Sequence, residues 1–87
     1  MSINKYEIVR IIENPGSGWI FGICMIKNNL LLTGDQDKAI KQWRIEGNNL
    51  ILTSIKENAH SRDINALVKL GNGHIASCSD DNSIKIW

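Results

Sequence analysis

Residues 31–43, LLTGDQDKAIKQW, return 44 positions later as residues 75–87, IASCSDDNSIKIW. Laid on itself at that offset without a gap, the sequence is identical at 11 of 43 positions. Further pairs, such as Ile23 with Leu67 and Thr33 with Ser77, are conservative. A chain written twice must fold into a unit that recurs, and this excludes most architectures open to 87 residues. The identities are physically selective: Asp37 with Asp81, Ile40 with Ile84, Lys41 with Lys85 and Trp43 with Trp87. Each copy reads as an apolar strand, a small hydroxyl residue, a polar turn containing Asp, and an Ile-Lys-x-Trp strand. Period-2 alternation across such a turn predicts a β-hairpin.

Taken in order, residues 5–12 (KYEIVRII) predict a strand whose equivalent is residues 50–56. The run Asn14-Pro15-Gly16-Ser17-Gly18 breaks the pattern into a loop. Residues 20–26, nearly continuous in apolar side chains, predict a strand buried on both faces; residues 64–70 are their counterpart. Turns rich in Asn and Gly lead to strands at 30–34 and 74–78, and Asp-containing turns lead to strands at 39–45 and 83–87. Gly47-Asn48-Asn49 links the units, which divide the chain into residues 1–43 and 44–87. No stretch has helical periodicity. A repeat in the forties with four strand-like runs predicts a β-propeller blade rather than a helical solenoid.

Composition removes several function classes. Ten Lys and Arg against nine Asp and Glu leave a formal charge of +1, which is no footprint for nucleic acid or an anionic membrane. Cys24 and Cys78 lie in apolar runs without metal-ligand spacing, as free thiols in a reducing compartment would, and no cofactor or metal site is expected. There is no signal-like leader and no run long enough to span a bilayer, so cytoplasm, or else nucleus, is the expected location. A phosphate cradle at NPGSG would need a following helix, and none is predicted.

The segment SCSDDNSIKIW resembles the closing hairpin of the WD-repeat (WD40) β-propeller family, and the resemblance covers the chain as two consecutive repeats. It implies an all-β fold of two blades in the strand order d-a-b-c, with the repeat out of phase with the sheet. The first strand of each repeat then forms the outer edge of the preceding blade. One end of the chain offers a strand and the other lacks one, and two blades cannot close a ring. Head-to-tail homo-oligomerisation with strand exchange, residues 5–12 of one copy completing the last blade of the next, resolves both defects. A ring of three or four copies, hence six or eight blades, is expected. A chain ending at a repeat boundary also fits a piece, natural or designed, of a larger WD-repeat protein with no ligand selected for it.

The resemblance further implies a structural hydrogen-bond network of His60, Ser77, Asp81 and Trp87 in the second repeat. The first supplies Thr33, Asp37 and Trp43 but has Gly16 in place of His, so Asp37 is expected to bond amides of its own turn. His60, Ser77 and Asp81 also invite a hydrolase reading, yet no GxSxG elbow surrounds Ser77, and the structural role is preferred. His74 is expected on the surface. In the family, protein or peptide partners dock on the face carrying the d–a loops and b–c turns. By position that face holds Ser17, Trp19, Gln36, Ser61, Asp63 and Asp80. Trp19 stands where the other copy has Asp63, as an exposed binding anchor or as a ring packed over a blade edge. The expected function is a non-catalytic scaffold for protein–protein interaction.

Overall fold

A computed structural model describes residues 18–87; the strand expected at residues 5–12, the loop residues 14–17 and candidate Ser17 lie outside them. Seven strands form two antiparallel sheets, and no helix is present among the described residues. The first sheet has the order β1 (Ile20–Lys27), β2 (Leu30–Asp35), β3 (Ile40–Glu46), β4 (Asn49–Lys56). The second has β5 (Ile64–Lys69), β6 (Ile75–Ser79) and β7 (Ile84–Ile86). β4 opens the second sequence unit yet pairs with β3, Trp43 facing Leu52 and Ile40 facing Lys56. The second unit therefore supplies the outer strand of the sheet built by the first. β7 pairs with β6 alone among the described residues.

The backbone bonds of the two turns recur. Lys38 and Asn82, 44 apart, both adopt a φ of 68°, the left-handed conformation that closes a tight hairpin. Lys38 N–H donates to the Asp35 carbonyl and Asn82 N–H to that of Ser79, each at 3.2 Å. Asp35 N–H donates to Ala39 O and Ser79 N–H to Ser83 O, each at 3.3 Å. Equivalent sequence thus produces equivalent backbone.

The sheets pack through one face of the first and the opposite-sense face of the second. Cys24, Leu32 and Ile40 meet Ala59, Ile64, Leu67 and Ile75 in a single buried cluster. Burial of an Ile or Leu here contributes about 1.5–3 kcal/mol each. The approach is close because of two glycines: a Cβ on Gly22 would lie 3.0 Å from Ala66 Cα, and one on Gly34 would overlap Ile64 Cγ2. Two hydrogen bonds cross the seam, from Ala59 N–H to Lys38 O at 2.9 Å and from Lys69 Nζ to Ile26 O at 2.9 Å.

β1 differs from expectation. Gly22 and Cys24 are buried against the second sheet, whereas Phe21, Ile23 and Met25 are exposed. An apolar run reports that both faces can be covered, but only one described sheet lies against this strand.

Candidate functional site

In the second unit the polar turn and the β4–β5 connection are joined by an unbroken chain of hydrogen bonds. His60 is almost fully buried. Its Nδ1 lies 2.9 Å from Asp81 Oδ2 and 3.1 Å from Ser83 Oγ, and its Nε2 lies 2.7 Å from Ser77 Oγ. The Trp87 indole N–H donates to the same Ser77 oxygen at 2.8 Å. With the imidazole proton on Nδ1, His60 donates to Asp81, Ser77 O–H donates to Nε2, and Trp87 donates to Ser77. Every buried group in the chain then has a partner.

Asp81 collects further donors: Ser61 N–H at 3.1 Å, Ser83 N–H at 2.9 Å and the Ser83 hydroxyl at 2.5 Å. Its carboxyl is held well below the usual carboxylate range, first by the Ser83 hydroxyl. Partial desolvation works the other way, and His60 and the amides of Ser61 and Ser83 add to the lowering. Ser83 was not singled out from sequence. Its equivalent is Ala39, and that substitution of a hydroxyl for a methyl beside an Asp was the available signal.

The first unit solves the same turn differently. Trp43 N–H donates to Thr33 Oγ1 at 2.9 Å, matching Trp87 and Ser77. The turn amides of Asp37 and Ala39 are taken by Asp35 Oδ1, at 2.9 and 3.3 Å, the role expected of Asp37. Lys41 Nζ pairs with Asp35 at 3.0 Å and reaches Asp37 at 3.8 Å. In the second unit the equivalent Lys85 instead donates to Ala59 O at 2.8 Å. Asp35 stands where the other copy has Ser79, one polar acceptor for another, and the alignment carried that hint too.

The candidate partner face lies at the end of the sheets where β1 and β5 begin and the β2–β3 and β6–β7 turns close. Gln36 N–H donates to Trp19 O at 2.9 Å, and its counterpart Asp80 N–H donates to Asp63 O at 3.1 Å. Gln36 Oε1 accepts from Trp19 N–H at 3.4 Å, and Asp80 Oδ1 from Asn65 Nδ2 at 2.6 Å. Trp19 is 69% exposed, and its ring meets Phe21 edge-to-face at 6.1 Å. Ser61 is exposed and tied by its amide to Asp81. His74 is exposed, with Nδ1 2.9 Å from Trp87 O. Cys24 is buried and Cys78 half-buried, both as free thiols.

Two face-packed antiparallel sheets, the outer strand of one supplied by the following unit and each closed by an indole-to-hydroxyl bond, define the class as propeller-type blades. Residues 50–87 match the family described as WD domain, G-beta repeat. These residues are thus similar to a WD repeat, and the match starts inside β4, so it spans the two sheets as an out-of-phase repeat would. No curated protein matches the chain.

Proposed function

We propose that this chain is a non-catalytic WD-repeat scaffold that binds protein partners. Residues 1–43 and 44–87 are its two repeats, and copies join head to tail into a closed propeller of three or four chains. One observation carries the assembly. The first sheet has four strands because the following unit supplies β4, whereas the second stops at β7 with an open edge among the described residues. An unpaired edge recruits another strand, and residues 5–12 of a neighbouring copy have the strand pattern to fill it. A longer polypeptide carrying further blades would fill the same edge in cis.

The partner is a protein or peptide, met by the loop end that carries Trp19, Gln36, Ser61, Asp63 and Asp80, with Ser17 beside them in sequence. A ring repeats that set in every copy, so weak contacts add through multivalency. The near balance of charge supports this over nucleic acid or an anionic surface, and the setting is cytoplasmic or nuclear. His60, Ser77 and Asp81 serve the fold, since the His60 imidazole is enclosed by its own partners.

Light scattering tests the assembly: a mass of three or four chains of 9.8 kDa is expected, falling to one chain when residues 1–12 are deleted. A stable monomer of the full sequence would refute the ring. Pull-down with the assembled protein tests the face, and Trp19→Ala should lower capture at least tenfold without changing thermal stability.

A further inference from the structure

The packing inside the chain is a template for packing between chains. In the internal seam, Gly22, Cys24, Leu32, Gly34 and Ile40 of the first sheet receive Ile64, Leu67 and Ile75 of the second. Advanced by the 44-residue repeat, the receiving set becomes Ala66, Val68, Ala76, Cys78 and Ile84. Set back by the same step, the inserting set becomes Ile20, Ile23 and Leu31. The second sheet thus carries the receiving positions on its open side, and the first sheet carries the inserting positions on its own. Val68 is 56% and Ile84 73% exposed; of the inserting positions Ile20 is 43% and Ile23 65% exposed, whereas Leu31 is already buried. A hollow of about 160 Å³ opens among Ala66, Val68, Ala76, Cys78 and Ile84.

We infer that the open face of the β5–β6–β7 sheet docks the β1–β2 face of a second copy of this chain, with Ile20 and Ile23 entering the hollow beside Val68 and Ile84. This rests on the proposed self-assembly and names the surface that performs it. Both halves of one interface lie on opposite sides of the same molecule, so the contact is heterologous and propagates from copy to copy. The occupant is specified by register as well as polarity. It must present an Ile at the start of a strand and an aliphatic residue three positions later, as Ile64 and Leu67 do within the chain and Ile20 and Ile23 do on its surface.

The intermolecular seam is not identical to the internal one. Cys78 stands where Gly34 stands, and a Cβ on Gly34 already overlaps Ile64 Cγ2. Ala66 replaces Gly22, and Met25, which cannot donate a hydrogen bond, stands at the position of Lys69, whose Nζ crosses the internal seam to Ile26 O. The seam between copies is therefore wider and shorter of hydrogen bonds than the seam within a copy. Dilution separates chains before it separates sheets.

Complementary blocking tests the surface. A Val68→Asp/Ile84→Asp chain loses the receiving face and an Ile23→Asp chain loses the inserting face. All three positions are more than half exposed, so both variants should fold with unchanged far-ultraviolet circular dichroism. Each alone is expected at monomer mass by light scattering. Mixed one to one, they should form a particle of two chains and nothing larger, because one intact junction remains; that product also proves that both variants are folded. Variants that keep the wild-type assembly mass would overturn this surface while leaving self-assembly standing. A monomeric wild type, with a mixture no heavier than its parts, would sink both. Loss of assembly in the single variants without recovery in the mixture would also overturn the pairing.

Discussion

Trp43 and Trp87 are the same residue in two copies of one unit, and they should not be worth the same. Each indole donates to a hydroxyl at nearly the same distance, 2.9 Å to Thr33 and 2.8 Å to Ser77. Trp43 is 4% exposed and Trp87 38%. The difference follows from the strands alongside. Trp43 pairs with Leu31 on β2 and Leu52 on β4, whereas Trp87 bonds Ile75 on β6 and has no outer strand beside it among the described residues. Truncating a buried Trp to Ala costs about 3–5 kcal/mol, and Trp43→Ala should lie in that range. With roughly three-fifths of its surface covered, Trp87→Ala scales to about 2–3 kcal/mol by the same rule. Urea denaturation followed by circular dichroism, at concentrations low enough for single chains, measures both. Raising the concentration until copies associate should bring the cost of Trp87→Ala toward that of Trp43→Ala, because the missing strand then covers the ring. Equal costs in the dilute chain, or a cost for Trp43→Ala below about 1 kcal/mol, would refute the reasoning.

Gly34→Ala forces a methyl into Ile64 and should cost about 1–3 kcal/mol by overpacking, read as a lowered urea midpoint. Gly71→Ala, with nothing within 4 Å of the added carbon, is the control and should change the midpoint little. Acid should weaken the latch at Asp81. Its folded-state carboxyl titrates below the unfolded value of 3.8, so its contribution is present above about pH 4 and is lost as pH falls toward the depressed folded value. The gap in melting temperature between wild type and Asp81→Asn should hold from pH 7 to 5 and narrow by pH 3. His60→Ala should cost about 2–4 kcal/mol, because it opens a buried space and strands the Ser77 hydroxyl. Hydrogen exchange should then quicken first at Ala59, whose amide crosses to Lys38 O.

The repeat made much of this legible. The offset of 44 located all seven described strands to within a residue or two, and the family resemblance implied that β4 joins the sheet before its own unit. The same resemblance brought His60, Ser77, Asp81 and Trp87 together by position. What it could not convey is what lies against each face. Ile23 and Leu67 are equivalent aliphatic residues at equivalent places, yet Leu67 is buried under the first sheet while Ile23 faces outward. Alternation reports which side chains share a face, and coverage depends on the neighbour. Trp87 and Trp43 are likewise equivalent, yet Trp87 is only partly covered. The role of Asp35 is hidden in the sequence because its counterpart is Ser79, and a shared acceptor role does not show when the residue types differ.

The two units close one turn in two ways, and the difference has a structural purpose. In the first, Asp35, the amides of Asp37 and Ala39, and Lys41 are all within six residues of one another, so the hairpin is self-sufficient. In the second, Asp81 reaches back to His60 and Ser61, about twenty residues earlier. Those residues sit in the connection from β4, which belongs to the first sheet, to β5, which belongs to the second. The bonds therefore hold the crossing itself. Lys85 reinforces it by donating to Ala59 O, while Ala59 N–H donates to Lys38 O in the turn of the first sheet. One short segment thus ties the polar turns of both sheets together. Replacing His60 by Gly, the residue at the equivalent position 16, would remove the imidazole's bonds to Asp81 and Ser77 from that tie, leaving the Ser61 and Ala59 bonds and the β6–β7 ladder in place. The expected loss is in the angle between sheets rather than in either sheet.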